Sequence, residues 1–162
     1  MLKLVVAKEG KELAHIRELF LEYSRWIESQ GASMDFQGFT GELAGLPGKY
    51  SEPEGSLLVA YIDGEAAGCG GLRKFKPEVC ELKRLYIRPR FRRQGISREL
   101  SRSLIEKARA AGYKYMWLDT ARFWVEPVAL YRSLGFHEID AYYDSPYASE
   151  SYFMELDLKK AE

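Results

Sequence analysis

The stretch "RPRFRRQGISREL", Arg88 to Leu100, gathers five arginines around a single glycine. A strand-like run, "EVCELKRLYIR" (78–88), leads into it. A helical run follows, with Ile96, Leu100, Leu104, Ile105 and Ala108 recurring on one face. The positive charge therefore sits at the mouth of a helix. A helix N-terminus offers unpaired N–H groups and the positive end of a dipole. Gly95 lets the backbone approach an anion closely. Neighbouring arginines add charge and forked donors. A phosphate, or better a diphosphate, is the natural guest of such a loop.

Three kinds of phosphate loop compete for this assignment. A Walker loop needs a Gly-Lys-Ser/Thr ending, which is absent. A dinucleotide fingerprint needs three spaced glycines after a strand, also absent. The third is the acyl-CoA loop of the GNAT superfamily of N-acyltransferases, Arg/Gln-x-x-Gly-x-Gly/Ala at a strand–helix junction. Arg92-Arg93-Gln94-Gly95-Ile96-Ser97 resembles it closely, with the small Ser97 in the last place. The preceding "ELKRLYIRP" looks like that family's central strand, and "ALYRSLGF" (129–136) resembles its second signature, Leu-Tyr-x-x-x-Gly-Phe. The likeness is firm from Ser56 to Phe136 and looser before. At the position seven residues before the tyrosine, where many members carry Asn, this chain has Trp124.

The rest of the chain agrees in element order. "LKLVVA" reads as a strand, and Leu13, Ile16, Phe20, Tyr23 and Ile27 mark one face of a helix. "GSLLVAYID" and "EAAGCGGLRKF" form a hairpin about Asp63-Gly64. Gly68 and Gly70 share a face of the second strand; they leave room for something to approach, or else mark a closely packed helix or a bulge. "YKYMWLDTA" is a strand after the Gly112 helix stop, and Pro127 opens a short helix that ends at Gly135. "FHEID" and "SYFMELDL" close the chain as strands. The loop-rich piece from Gln30 to Gly55 is a long connection within one domain, because Phe36, Phe39 and Leu43 call for burial. A meander feeding a strand–helix–strand crossover makes the sheet mixed.

At 162 residues the chain suits one domain, 1–162, by a measure of roughly 100–200 residues each. Twenty-four basic and 24 acidic residues cancel, which argues against a nucleic-acid or membrane field. The charge is nevertheless uneven: Lys83–Arg102 holds eight basic residues and one acid, and Glu138–Asp157 holds six acids and no lysine or arginine. Cys69 and Cys80 match no metal spacing, and His15 and His137 stand apart, so no metal is expected. No secretory leader or membrane-spanning run is read, and a cytoplasmic place is expected.

The resemblance implies an α/β fold of GNAT type. That means a mixed, mostly antiparallel sheet of six to seven strands with a splayed central pair, flanked by about four helices. It implies acetyl-CoA as co-substrate, without metal. Backbone N–H groups of Arg93, Gln94, Gly95, Ile96 and Ser97 would bind the diphosphate, with charge from Arg92, Arg93 and Arg98. Backbone groups of Leu85 and Ile87 would pair with the pantetheine arm, and Tyr131 would be the general acid. Glu81, at the strand parity of Lys83, Leu85 and Ile87, is either the base that takes the amine's proton or an outward-facing glutamate at the strand start paired with a lysine. Tyr142, Tyr143, Tyr147 and Tyr152 with Phe36, Phe39 and Tyr50 either wall an acceptor pocket or cover the domain. The expected partner is a small-molecule amine; a homodimer is compatible. The alternatives are a peptide N-terminus or lysine as acceptor, a CoA-binding protein without catalysis, and a nucleotide-binding module.

Overall fold

The computed structural model describes residues 1–159, with every side chain among them except that of Phe36. Seven strands form one sheet: β1 (Leu2–Val6), β2 (Ser56–Ile62), β3 (Glu65–Lys76), β4 (Val79–Ile87), β5 (Tyr115–Ala121), β6 (His137–Ile139) and β7 (Ser151–Asp157). Their order is β1-β2-β3-β4-β5-β7-β6, with only the β4–β5 pair parallel. Four helices flank it: α1 (Gly10–Ser29), α2 (Phe39–Ala44), α3 (Ile96–Ala110) and α4 (Val125–Ser133). The element order and the mixed sheet are those expected.

Two apolar layers cover the sheet. On one face α1 and the early connection bury Leu13, Ile16, Leu19 and Phe20 against Leu57, Val59 and Cys69. On the other, α3 and α4 bury Leu100, Leu104, Ile105 and Tyr131 against Leu58, Leu82, Met116 and Leu118. The α3 stripe follows the helical period. Gly112 (φ +91°) ends α3 as expected: its N–H reaches Arg109, and that of Tyr113 reaches Ala108. Gly135 (φ +105°) ends α4 through the same bond pair to Arg132 and Tyr131. One boundary moves: α4 starts at Val125, so Pro127 is its third residue rather than its first. Proline is tolerated there because the first amides of a helix lack intrahelical acceptors anyway.

The room left by Gly68 and Gly70 is filled by the fold itself. A Cβ on Gly68 would meet Ile87 Cδ1 and Tyr86 O at 2.5 and 2.6 Å, and one on Gly70 would meet Leu104 and Leu85. These glycines serve close packing, not a ligand.

Two features of β4 position the site. Its pairing with β5 covers only Val79↔Tyr115, Cys80↔Met116 and Glu81↔Trp117. Beyond that point the strands fork, β4 running on to Ile87 and β5 to Ala121. Within the fork β4 carries a bulge: Gly71 pairs with Lys83, but Cys69, two residues back on β3, pairs with Tyr86, three residues on. Arg84 takes up the extra residue at φ +60°, in the left-handed region. A bulge bends its strand and raises the local twist, which turns β4 away from β5.

Candidate active site

The fork is a cleft of about 800 Å³ that passes through the sheet between Leu82–Ile87 and Leu118–Ala121. The β4–α3 loop and α4 wall one mouth, and α1 with the early connection walls the other.

At the first mouth the chain turns into α3 through Arg93 (φ +65°) and Gly95 (φ +77°). No side chain caps the helix, and its first backbone bond runs from Glu99 N–H to Gly95 O. The amides of Ile96, Ser97 and Arg98 therefore have no acceptor among the described residues and point into the loop. A Cβ built on Gly95 meets nothing within 4 Å, so the space over this turn is open. Gly95, Ile96, Ser97, Arg92, Arg93 and Arg98 all line the cleft; Gln94 does not.

The five arginines divide by role. Arg88 is tied to Glu22 (2.6 Å) and the Ala66 carbonyl (2.8 Å), and Arg90 pairs with Glu65. Arg92 donates from Nε to the Ile87 carbonyl at 3.0 Å and spreads over Trp26 and Tyr86. Arg93 is exposed, with a long 3.9 Å contact to Glu126. Arg98, half-buried, has no partner among the described residues. Arg93 and Arg98 are thus the arginines free to meet an anion at this mouth.

Along β4 the ladder fixes which peptide groups face the gap. Arg88 N–H donates to Ala67 at 2.8 Å, and Tyr86 pairs with Cys69. Antiparallel ladders alternate, so the Leu85 and Ile87 peptide groups turn away from β3, toward the fork.

The bulge also re-sorts the side chains. Cys80 and Leu82 lie on the α3 face, but beyond Arg84 that face is taken by Leu85 and Ile87. Glu81, Lys83, Arg84 and Tyr86 share the α1 face. The parity argument that put Glu81 with Leu85 and Ile87 fails here, because one extra residue inverts the alternation. Glu81 itself is buried outside the cleft lining. Its Oε1 accepts from Arg73 Nε at 3.0 Å and its Oε2 from Tyr142 Oη at 2.7 Å. Both its oxygens are thus engaged, by an arginine and a tyrosine rather than by a lysine, and it is buried rather than outward-facing.

Three carboxylates among the described residues line the cleft, Glu126, Glu150 and Asp119, and the one on a strand of the fork is Asp119 on β5. β5 alternates, with Met116, Leu118 and Thr120 buried, which turns Asp119 to the α1 face. Its Oδ2 accepts from Tyr143 Oη at 2.7 Å, and Tyr143 in turn accepts from Gln37 Nε2 at 3.1 Å. Sequence reading passed over Asp119, although the alternation of "YMWLDTA" is visible and leaves one carboxylate on its polar side.

Tyr131 enters the cleft from α4. Its ring stacks edge-on against Phe136, and its hydroxyl makes no hydrogen bond with the described residues. Burial, with Tyr23 and Asp119 nearby, pushes its phenol well above the ordinary value, so it stays protonated. Trp124, just before α4, packs on Trp26 at 4.9 Å, and its buried Nε1–H lacks an acceptor among the described residues.

Of the aromatic residues expected around an acceptor, Tyr147 lines the cleft and accepts the Ser33 N–H at 3.0 Å. Phe39 and Tyr50 belong to the α1 core, and Tyr152 lies under Arg122 and Arg132. The side chain of Phe36 lies outside the described residues. Among those described, no group of histidine, cysteine and acidic residues is arranged to hold a metal, and no helix is long and apolar enough to cross a membrane.

Known proteins resemble this chain in sequence and fold. A sequence profile of the acetyltransferase (GNAT) family matches residues 13–136. An uncharacterised N-acetyltransferase of Schizosaccharomyces pombe is 35% identical over 155 residues, 94% of this chain and 93% of its own. A crystal structure of a proposed acyl-CoA N-acyltransferase from Klebsiella pneumoniae superposes with a TM-score of 0.77 at 26% identity, covering 98% of each chain. The PaiA N-acetyltransferase of Thermoplasma acidophilum, solved with coenzyme A, shares the fold at a TM-score of 0.72 and 20% identity, over 96% of this chain and 99% of its own. With the forked β4–β5 pair, the glycine turn into α3 and a profile match across most of its length, the chain belongs to the GNAT family of acetyltransferases.

Proposed function

We propose that the protein transfers an acetyl group from acetyl-CoA to the primary amine of a small molecule, by direct attack while both substrates are bound. The observation that carries this is the through-sheet cleft. It has an anion-ready helix start at one mouth, a protonated tyrosine in its wall, and a carboxylate on its far side.

The residues fit the co-substrate. The free amides of Ile96 to Arg98, the open space over Gly95, and Arg93 and Arg98 suit a diphosphate. The gap-facing peptide groups of Leu85 and Ile87 suit the amide-bearing arm of pantetheine. The relative solved with coenzyme A supports the same choice.

Bound acetyl-CoA supplies a thioester whose carbonyl carbon the amine attacks, forming the amide and releasing the thiol. The chain's own groups handle charge and protons. A gap-facing N–H of β4 polarises the thioester carbonyl, a contribution on the order of a few kcal/mol when preorganised. Asp119 takes the proton of the attacking amine, directly or through a water. Tyr131 donates its O–H to the departing sulfur, and burial keeps the phenol in that protonated, donating form. Arg92 holds the Ile87 carbonyl, which keeps the end of β4 in place.

A small acceptor is favoured because the α1-side mouth is strapped. Ser33 and Gln37 of the early connection are hydrogen-bonded to Tyr147 and Tyr143 of the segment before β7. An open peptide groove would need those segments apart. A thiol-release screen with acetyl-CoA against amines, amino acids and peptides tests this reading. Turnover confined to peptides would refute the small acceptor, and no thiol release with any amine would refute the transfer.

A further inference from the structure

On the α1 face of the fork, two opposite charges are left unjoined. Arg84 grips Glu42 with two bonds, 2.9 and 3.0 Å, and Arg73 joins Glu81 and Glu42 at 3.0 and 3.5 Å. Lys83 and Asp119 remain. Lys83 is 5% exposed, lines the cleft, and makes no hydrogen bond or ion pair with any described residue. Asp119 has Tyr143 on one oxygen and no ion pair to Lys83.

Their register places them. Glu81 and Trp117 are the last β4–β5 partners, and Lys83 and Asp119 each lie two residues beyond. Both turn to the same face, so they confront one another across the narrow start of the fork. Paired strands lie about 4.8 Å apart, and Lys83 and Asp119 are two residues past the last such pair.

A buried ammonium without a counter-charge is costly, and proteins keep such groups paired or bound to something. The charged groups around Lys83 are Arg84 and Arg73, which repel it, and Asp119 and Glu81, which attract it. Glu81 is already committed to Arg73. Burial, reinforced by Arg84, holds the Lys83 ammonium below its ordinary pKa, and a ligand carboxylate would relieve that. The site thus wants a small guest with a negative group for one lip and an amine for the other.

We propose that the acceptor is a free α-amino acid whose carboxylate pairs with Lys83 and whose amine lies against Asp119. This rests on the acetyl-transfer reading and names its substrate class. A short zwitterion spans the narrow fork, and the amine then sits beside the carboxylate that takes its proton. A simple amine would leave Lys83 uncompensated. A peptide N-terminus would present an amide where the carboxylate belongs.

The test compares the twenty standard α-amino acids with their decarboxylated amines and α-amides, by thiol release and by melting of the CoA-bound protein. For the best amino acid, kcat/KM should exceed that of its amine and amide at least tenfold. Lys83→Met should remove that preference and the ligand-induced melting shift, and Lys83→Arg should keep both. An unchanged CoA-induced melting shift certifies that the variants are folded. Lys83 acting as a base instead would show as loss of turnover in Lys83→Arg with carboxylate selectivity intact, and would overturn the assignment. So would preference for carboxylate-free amines, or failure of all twenty amino acids to be acetylated or to shift the melting temperature. Acetylation of other amines would then still stand; loss of CoA binding in the wild type would instead remove the transfer reading itself.

Discussion

Replacing Tyr131 by Phe separates catalysis from packing, because the two should move in opposite directions. The ring is buried against Phe136, and Phe keeps that contact. The hydroxyl makes no hydrogen bond with the described residues, so removing it breaks none. A hydroxyl buried without a partner costs ~1–3 kcal/mol. Here the oxygen faces the cleft, so the relief on removal lies at or below the lower end, about 0–1 kcal/mol. For a chain of this size 1 kcal/mol shifts Tm by about 2–4 °C. The variant should therefore melt at the wild-type temperature or up to about 4 °C above it, while kcat falls at least about tenfold as the sulfur loses its proton donor. Since burial raises the Tyr131 pKa above the ordinary value near ~10, the donor remains charged with its proton throughout the working range. The wild-type rate should show no loss of an acid up to that pH. The assays are thermal melting with and without CoA, and thiol release at saturating substrates. Unchanged kcat with a Tm several degrees lower would refute the reasoning and return Tyr131 to the core.

Other substitutions probe the remaining parts. Gly95→Val places a β-branched residue at φ +77°, with ~1–3 kcal/mol of strain, and its side chain fills the open space over the turn. Calorimetry should show CoA affinity reduced at least about tenfold in a folded protein. Glu81→Gln should lower stability by about 1–3 kcal/mol through the weakened Arg73 pairing, with kcat spared the ~10²–10⁴-fold loss of a general base; denaturant melts and turnover decide. Asp119→Asn keeps an acceptor for Tyr143 but cannot take a proton, and kcat should fall by about 10²–10⁴-fold with CoA affinity unchanged by calorimetry.

What could be read before folding was local and periodic. The α3 stripe from Ile96 to Ala108, the Asp63-Gly64 hairpin and the Gly112 and Gly135 stops rest on near-neighbour rules, and all appear in the structure. The glycine turn at Gly95 was legible for the same reason: its chemistry lies within six consecutive residues. The reading failed where a long-range adjustment intervened. The bulge at Arg84 depends on how β3 meets β4, and nothing in "ELKRLYI" announces it. That one inserted residue moved Leu85 and Ile87 off the face of Glu81. The pairing of Glu81 with Arg73 and Tyr142 joins three separate segments, and the placing of Lys83 and Asp119 on the two arms of the fork depends on how β4 meets β5. Trp124 stood out as a departure from the family pattern, but its orphaned indole N–H became visible only with its packing on Trp26.

The most direct test of the account is the response of the wild-type protein to acetyl-CoA, with ATP and NAD as controls. A ligand at 100 times its Kd adds roughly 2.7 kcal/mol of stability, which corresponds to a rise in Tm of about 5–10 °C for a chain of this size. The account predicts that rise with acetyl-CoA and CoA, little from ATP or NAD, and its loss in Gly95→Val. An unmoved Tm at saturating acetyl-CoA, or an equal rise with ATP, would contradict the assignment of the forked cleft and the α3 turn to the co-substrate.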